Sequence, residues 1–380
     1  MSLLNEDTVY RRALSCGTIQ VTRARGEMSL NDLFDIAERH NPKRAFLFVS
    51  KVLGRHIPVP PSTMRQAYQR LARQFPESVP GPVLFIGMAE TAVGLGAGVF
   101  DELRHHYADS VYLTSTRHPQ DGELLCEFKE EHSHATDHLI YLPAEAEMRR
   151  RVTEARTLVL IDDEATTGNT FINLLAALRN TGRLPQLEQV VAVTLTDWSG
   201  DALETRCPLP VRTLSLVSGA WQWEPIPDAP VPVMPAVNVT SRGNFPITGK
   251  QSWGRLGMTA PANDLGRNIT ISPGERVLVL GTGEFVWEPF LLAERLAEAG
   301  ADAFYSSTTR SPIATGFAIQ SAIAFTDNYG LGIPNFLYNV AHQRFDRVLL
   351  CTETPAASVD SHLMKTLAGV AASVEIISYE

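Results

Sequence analysis

The sequence has few cysteines, no long apolar run and no surplus of basic residues. Its four cysteines form no C-x-x-C pair, which argues against a zinc site and a disulfide framework. With 33 Lys and Arg against 42 Asp and Glu, the net charge of −9 argues against broad nucleic-acid binding, which depends on neutralising phosphates. No apolar stretch suits a signal peptide or a transmembrane helix, so we expect a cytoplasmic protein without membrane contact. The cysteines are Cys16, Cys126, Cys207 and Cys351.

Strand and helix signals alternate along most of the chain. Short apolar runs at 83–86, 111–113, 139–142, 158–161 and 190–195 predict buried strands. The alternation predicts an α/β fold of doubly wound, mostly parallel sheets. Prolines cluster between 208 and 235, so we place a domain boundary there. The first domain, 1–228, is expected to include an N-terminal accessory layer and a hood, and the second domain spans 229–380. Near the N-terminus, Ser29 and Asp32 resemble a capping box, which predicts a helix that includes Phe34 and Ala37 on its apolar face.

The stretch 158–170 is the most informative part of the sequence. It joins an apolar strand, the acidic pair Asp162 and Asp163, and a hydroxyl-rich loop that opens a helix. A helix N-terminus favours an anion, and threonine hydroxyls and a glycine that permits close approach suit a phosphate. Ionised carboxylates accept hydrogen bonds from vicinal ribose hydroxyls. The residues expected to bind a ribose 5-phosphate are Asp162, Asp163, Ala165, Thr166, Thr167, Gly168, Asn169 and Thr170.

This segment resembles the motif by which type I phosphoribosyltransferases bind phosphoribosyl pyrophosphate (PRPP). The family pattern is an apolar strand, an acidic pair, two variable residues, Thr/Ser-Thr-Gly, a variable residue and Thr. Glu164 departs from it, since the family usually has an apolar residue there, and its role stays open. The alternative is an ordinary strand-turn-helix with a capping threonine and a solvated acidic pair.

The second half of the sequence repeats features of the first. Gly281 and Glu284 follow Gly87 and Glu90 by 194 positions. The run T-R-S-P at 309–312 follows T-R-H-P at 116–119 by 193 positions. These near-constant shifts predict a duplication. The alternative is chance similarity between two α/β domains. Because 352–358 keeps one carboxylate and lacks the Thr-Thr-Gly loop, the second copy is expected to be degenerate, without a PRPP site.

The arrangement resembles a family in which a phosphoribosyltransferase domain precedes a domain named TRSP after its Thr-Arg-Ser-Pro signature. Members are associated with bacterial tellurium-resistance and stress gene clusters. The resemblance implies a pyrophosphate loop at Met88, Ala89, Glu90 and Thr91, although many relatives have Arg or Lys where this chain has Glu90. A tight turn with Glu90 near a helix start is the alternative.

The resemblance also implies a mobile catalytic loop in the long polar segment 117–137. Its expected pyrophosphate contacts are Arg117, Lys129 and His134, with His132 beside them, and a solvated surface loop explains each of them as well. Trp221 and Trp223 follow the last core strand, where relatives build a hood over the base. They are candidates for stacking on an aromatic acceptor, and packing within the hood is the alternative.

These observations together predict a phosphoribosyltransferase that joins PRPP to a nitrogenous acceptor and releases pyrophosphate. The expected acceptor is nucleobase-like, and orotate-like molecules are among the candidates. Mg²⁺ is the expected cofactor, held indirectly by Asp162 and Asp163 because Mg²⁺ usually binds substrate oxygens plus one or two carboxylates. Expected partners are PRPP and the acceptor, with a homodimer or proteins from the same gene cluster as further partners. The alternative functions are a non-catalytic sensor of PRPP or nucleotides and a scaffold.

Overall fold

The computed structural model describes residues 8–41, 43–129, 138–247 and 254–379. The strands of the first half are β1 Val9–Ala13, β2 Gly17–Arg25, β3 Phe34–Glu38, β4 Phe46–Ser50, β5 Val83–Gly87, β6 Ser110–Thr114, β7 Glu123–Phe128, β8 His138–Leu142, β9 Thr157–Ile161, β10 Glu164–Ala165, β11 Gln189–Asp197 and β12 Val211–Pro225. Its helices are α1 Leu30–Leu33, α2 Pro61–Ala72, α3 Val93–Leu103, α4 Ala146–Thr153, α5 Asn169–Asn180 and α6 Ala202–Arg206.

Residues 226–247 form neither helix nor strand, and the remaining strands all follow them. These are β13 Arg276–Gly281, β14 Asp302–Ser307, β15 Ala322–Thr326, β16 Pro334–Tyr338, β17 Phe345–Cys351 and β18 Ala371–Ile377. The helices are α7 Trp287–Glu298, α8 Ser361–Ala368 and a short 3-10 helix Ala356–Ser358. Within the described ranges, no helix is long and apolar enough to cross a membrane.

The main sheet has the strand order β1-β2-β12-β11-β9-β5-β6. The strands from β12 to β6 run parallel. The end of β12, residues 218–225, pairs antiparallel with β2, and this part of the sheet forms the hood. Strands β5 and β9 are buried along their whole length, as their continuous apolar runs predict for a sheet that is covered on both faces. The predicted α/β fold with a parallel core is confirmed.

A second parallel sheet has the order β14-β13-β17-β18. It repeats the order β6-β5-β9-β11 of the main sheet, and the hairpin β15-β16 stands where β7-β8 stands in the first half. Hydrogen bonds repeat as well, since Tyr112 donates its hydroxyl to the Val93 carbonyl and Tyr305 donates its hydroxyl to the Val286 carbonyl, each at 2.9 Å. The duplication itself stays a prediction, and these repeated contacts support it.

The two halves exchange short segments across their junction. Val59 pairs with Tyr305 through both backbone hydrogen bonds, so the segment before α2 extends the second sheet. Met258 pairs in the same way with Tyr112, so a segment of the second half extends the main sheet at β6. Since each half adds backbone to the edge of the other, the junction is continuous with both sheets.

One local prediction, the helix after Ser29, was wrong. The helix α1 has only four residues and Ser29 makes no capping hydrogen bond, while Phe34 and Ala37 lie in β3. The pairing of β3 with β4 and burial in the aromatic layer of the hood outweigh the weak local helix signal. The polar segment after β6 also contains a strand, β7, which pairs with β8.

Candidate functional site

The acidic pair, Asp162 and Asp163, lies at the carboxyl end of β9 between β5 and β11. The Asp163 carboxylate accepts a hydrogen bond from the Thr91 hydroxyl at 3.0 Å. An Asp162 carboxylate oxygen accepts one from the Asp163 backbone N–H at 2.9 Å. The Asp163 carbonyl accepts from Leu195 N–H at 3.0 Å, which anchors the turn to β11. Burial raises the pKa of Asp163, and the negative charge of Glu164 adds to the increase.

The predicted phosphate loop, residues 164–170, leads from the acidic pair into α5. Gly168 precedes the helix with φ +75°, a left-handed conformation that favours glycine. A Cβ at this position would also lie 2.8 Å from Leu203 Cδ2. The Asn169 N–H donates to the Thr167 hydroxyl at 3.3 Å. The first N–H groups of a helix lack intrahelical acceptors, so the loop offers amide and hydroxyl donors to an anion.

An arginine from the N-terminal layer explains Glu164, whose role the sequence left open. Arg44 forms an ion pair with Glu164 at 2.8 Å and approaches the Thr166 hydroxyl at 3.4 Å. Its guanidinium lies over the rings of Phe46 and Trp221, 4.9 and 5.6 Å from their centroids. Glu164 therefore holds Arg44 between the phosphate loop and the hood. No local sequence signal joins two residues that are 120 positions apart.

The two tryptophans lie on one face of β12, in the hood. Trp221 contacts Phe46 edge to face at a centroid distance of 5.0 Å, and Trp223 contacts the same ring at 5.1 Å. These contacts match the expectation that both side chains share a face and pack within the hood. Both rings stay partly exposed, so stacking on a base stays a prediction.

The predicted pyrophosphate loop, residues 88–91, lies beside the acidic pair. Met88 N–H donates to the Ile161 carbonyl at 3.0 Å, and Ala89 N–H donates to the Ser115 hydroxyl at 2.8 Å. The Ala89–Glu90 peptide is cis. Together with the bond between Thr91 and Asp163, these contacts bring the two predicted loops to one edge of the sheet.

Glu90 is bound to the second half of the chain. Its carboxylate accepts from Arg55 Nη1 at 3.3 Å and from the Arg310 backbone N–H at 3.2 Å. The same Arg55 nitrogen donates to the carbonyls of Gly283 and Thr308, at 3.1 and 2.6 Å. Arg55 is buried, so its charge is engaged at the junction between the halves. Glu90 therefore connects the pyrophosphate loop with the TRSP signature.

Arg117 lies against the loop that follows β13 in the second half. Its backbone N–H donates to Glu284 Oε1 at 2.8 Å, and the Thr116 hydroxyl donates to Oε2 at 2.6 Å. Among the described residues, Arg117 has no hydrogen bond or ion pair with the acidic pair, so its role in binding pyrophosphate stays a prediction. Lys129 follows β7 and is exposed. His132 and His134 lie outside the described residues.

The equivalent region of the second half is filled by an internal ion pair. Arg255 donates to both carboxylate oxygens of Glu353 at 2.8 Å and forms a second pair with Glu284 at 2.9 Å. Burial alone would raise the pKa of Glu284, but the charges of Arg255 and His118 hold it down to about 2. The hydroxyls of Thr354 and Ser358 bond to each other at 2.8 Å. The Glu353 carboxylate and these two hydroxyls are thus satisfied by contacts within the second half.

Two family models match the chain in sequence. The model described as phosphoribosyl transferase matches residues 33–220, and the model described as the TRSP domain C-terminal to it matches residues 250–367. The chain belongs to the phosphoribosyltransferases that carry a C-terminal TRSP domain. This phosphoribosyltransferase matches no curated protein significantly.

Several solved structures are similar to part of this phosphoribosyltransferase. One is adenine phosphoribosyltransferase from Rhodothermus marinus, with 19% identity over 49% of this chain and 94% of that chain, and a TM-score of 0.31. Another is orotate phosphoribosyltransferase from Aeropyrum pernix, with 16% identity over 46% of this chain and 80% of that chain, and a TM-score of 0.27. A third is an adenine phosphoribosyltransferase from Giardia lamblia in complex with 9-deazaadenine, with 15% identity over 42% of this chain and 80% of that chain, and a TM-score of 0.29.

Proposed function

We propose that this transferase moves the 5-phosphoribosyl group of PRPP to a nucleobase-like nitrogen, with orotate-like acceptors included, and releases pyrophosphate. The observation that carries the proposal is the hydrogen bond between Thr91 and Asp163. This bond joins the segment that leads into the phosphate loop, before α5, to the pyrophosphate loop, which follows the neighbouring strand β5. A ligand with a 5-phosphate, two ribose hydroxyls and a pyrophosphate matches this series of groups.

The chain's own residues hold and polarise the sugar. Asp162 and Asp163 accept hydrogen bonds from the ribose hydroxyls, and Thr166, Thr167 and the α5 amides bind the 5-phosphate. The C1–O bond to pyrophosphate breaks while the acceptor nitrogen bonds to C1 from the other face. The bonding electrons leave with pyrophosphate, and the acceptor loses its N–H proton to solvent. The carboxylates favour the positive charge that develops on the sugar.

The donor set suits Mg²⁺ held mostly by the substrate. Among the described residues, no group of three or more His, Cys, Asp or Glu side chains is placed to hold a metal. Mg²⁺ usually binds through substrate phosphates plus one or two carboxylates, and Asp162 and Asp163 would orient it indirectly, through the ribose hydroxyls that they hold. When bound, the ion would neutralise charge on the leaving pyrophosphate.

The proposal is tested by screening nitrogenous bases with PRPP for pyrophosphate release. We expect at least one base-dependent release that requires Mg²⁺. PRPP binding without release for any base would contradict catalysis and support a sensor. The absence of any PRPP-dependent thermal shift with Mg²⁺ would support a scaffold instead.

Thr167→Val should weaken binding of ribose 5-phosphate and of PRPP by roughly 5- to 20-fold, because a hydroxyl donor to a charged phosphate is lost. Isothermal titration calorimetry measures both affinities. Thr205→Val is the matched control, since Thr205 lies on α6 and its hydroxyl donates to backbone carbonyls of that helix. Wild-type affinities in Thr167→Val would contradict the assignment of the 5-phosphate to this loop.

A further inference from the structure

The TRSP signature of the second half contacts the pyrophosphate loop of the first. Arg310 N–H donates to the Glu90 carboxylate at 3.2 Å. Glu90 precedes Thr91, whose hydroxyl bonds to Asp163 at 3.0 Å. Arg310 therefore contacts the residue of the pyrophosphate loop that directly precedes the one bonded to the acidic pair.

The contact is reciprocal between the halves. Arg117, the equivalent arginine of the first half, donates its N–H to Glu284 of the second half at 2.8 Å. Arg117 thus adjoins the region already occupied by Arg255 and its two glutamates. Arg310 adjoins the region where the acidic pair and phosphate loop are intact. Each arginine of the T-R-x-P runs thus contacts the other half. Of the two, Arg310 lies beside the first half's site, which is the one proposed to bind PRPP.

The Arg310 guanidinium is available for an anion. The side chain is half-buried, and it has no ion pair or hydrogen bond among the described residues. Arg55, the other arginine at this loop, instead uses its Nη1 and Nη2 donors on Glu90 and on backbone carbonyls. A planar guanidinium without an acidic partner suits bidentate binding of a phosphate.

We infer that Arg310 binds the pyrophosphate group of PRPP, so that the TRSP domain supplies a substrate-binding residue to the first half's site. The inference rests on the proposed function and adds to it the reason why the second half accompanies the first. Arg310 contacts the end of the ligand opposite to the 5-phosphate. It therefore distinguishes PRPP and pyrophosphate from ribose 5-phosphate.

The test is a set of calorimetric titrations of the full chain with three probes in the presence of Mg²⁺: PRPP, pyrophosphate and ribose 5-phosphate. Arg310→Gln should weaken PRPP and pyrophosphate binding by roughly 10- to 100-fold, as expected for loss of a charge-assisted bidentate contact. Ribose 5-phosphate affinity should stay within about 2-fold of wild type, since its phosphate binds elsewhere. Arg344→Gln, an exposed change in the same half, is the matched control.

The outcomes separate this inference from the proposed function. Wild-type PRPP affinity in Arg310→Gln would overturn the inference and leave the proposed function standing. A larger loss in Arg117→Gln than in Arg310→Gln would overturn it as well, as would an equal loss for all three probes. Failure of the wild-type chain to bind PRPP would overturn both. If Arg310→Gln unfolds, Arg310→Lys replaces it, and intermediate PRPP affinity with unchanged ribose 5-phosphate affinity is expected.

Discussion

Asp163→Asn is expected to lower PRPP-dependent pyrophosphate release by roughly 100- to 1000-fold. The change removes the negative charge that favours a cationic sugar, and loss of one well-placed electrostatic contact has an effect of this size. Asn keeps a carbonyl oxygen that can accept the Thr91 hydroxyl. Because burial raises the pKa of Asp163, its ionised form is costly in the fold, so the neutral residue should not lower stability.

The measurement is steady-state pyrophosphate release together with the thermal unfolding temperature. Asp302→Asn is the matched control, because Asp302 is exposed at the start of β14 in the second half, and this variant should keep the wild-type rate. A wild-type rate in Asp163→Asn would refute the catalytic role. A slow rate accompanied by a large fall in unfolding temperature would assign Asp163 to the fold rather than to the reaction.

Arg255→Met is expected to destabilise the protein by about 3–5 kcal/mol, because removing one partner leaves buried charges unpaired. Arg255 has a side chain that is 1% exposed, and its two partners, Glu284 and Glu353, are 4% and 0% exposed. Without the guanidinium, burial would raise the pKa of the Glu284 carboxyl, which the charge of Arg255 now lowers. The unfolding midpoint in denaturant measures the loss.

A rescue variant separates the charge effect from the loss of packing. Adding Glu284→Gln and Glu353→Gln to Arg255→Met should recover at least half of the lost stability, since no buried charge is then left unpaired. Arg267→Met is the control, because Arg267 pairs with Asp264 at the surface and should change stability by about 0.5 kcal/mol or less. If Arg255→Met is as stable as wild type, the claim that the ion pairs of Arg255 stabilise the second half is wrong.

The sheet core was predictable because its signals are local. Continuous apolar runs marked β5 and β9, and the strand-loop-helix order marked the phosphate loop. The segment Phe34–Glu38 shows the limit of such signals, since its strand conformation depends on pairing with β4. A capping-box pattern with apolar residues at helical spacing could not reveal that partner.

The junction between the halves was not predictable from local patterns. Arg44 and Glu164 are 120 positions apart, and Arg310 and Glu90 are 220 apart. Each contact depends on which strand edges meet in the folded chain. The repeated T-R-x-P run was visible in the sequence, but the contact of each run with the other half was not. The sequence alone therefore offered Arg117, and not Arg310, as a candidate pyrophosphate contact.

The two halves contribute unequally to the proposed reaction. The first has the acidic pair and the phosphate loop, while the second satisfies its remaining carboxylate with Arg255. The second half still contacts the pyrophosphate loop through Arg310. The proposed PRPP site, one per chain and built from both halves, accounts for these differences.

The most direct test of this account is the number of PRPP molecules that bind per chain, measured by isothermal titration calorimetry with Mg²⁺. We expect one PRPP per chain, with binding weakened by Thr167→Val in the first half and unaffected by Ser358→Ala in the 3-10 helix of the second. Two PRPP molecules per chain, or none, would contradict it.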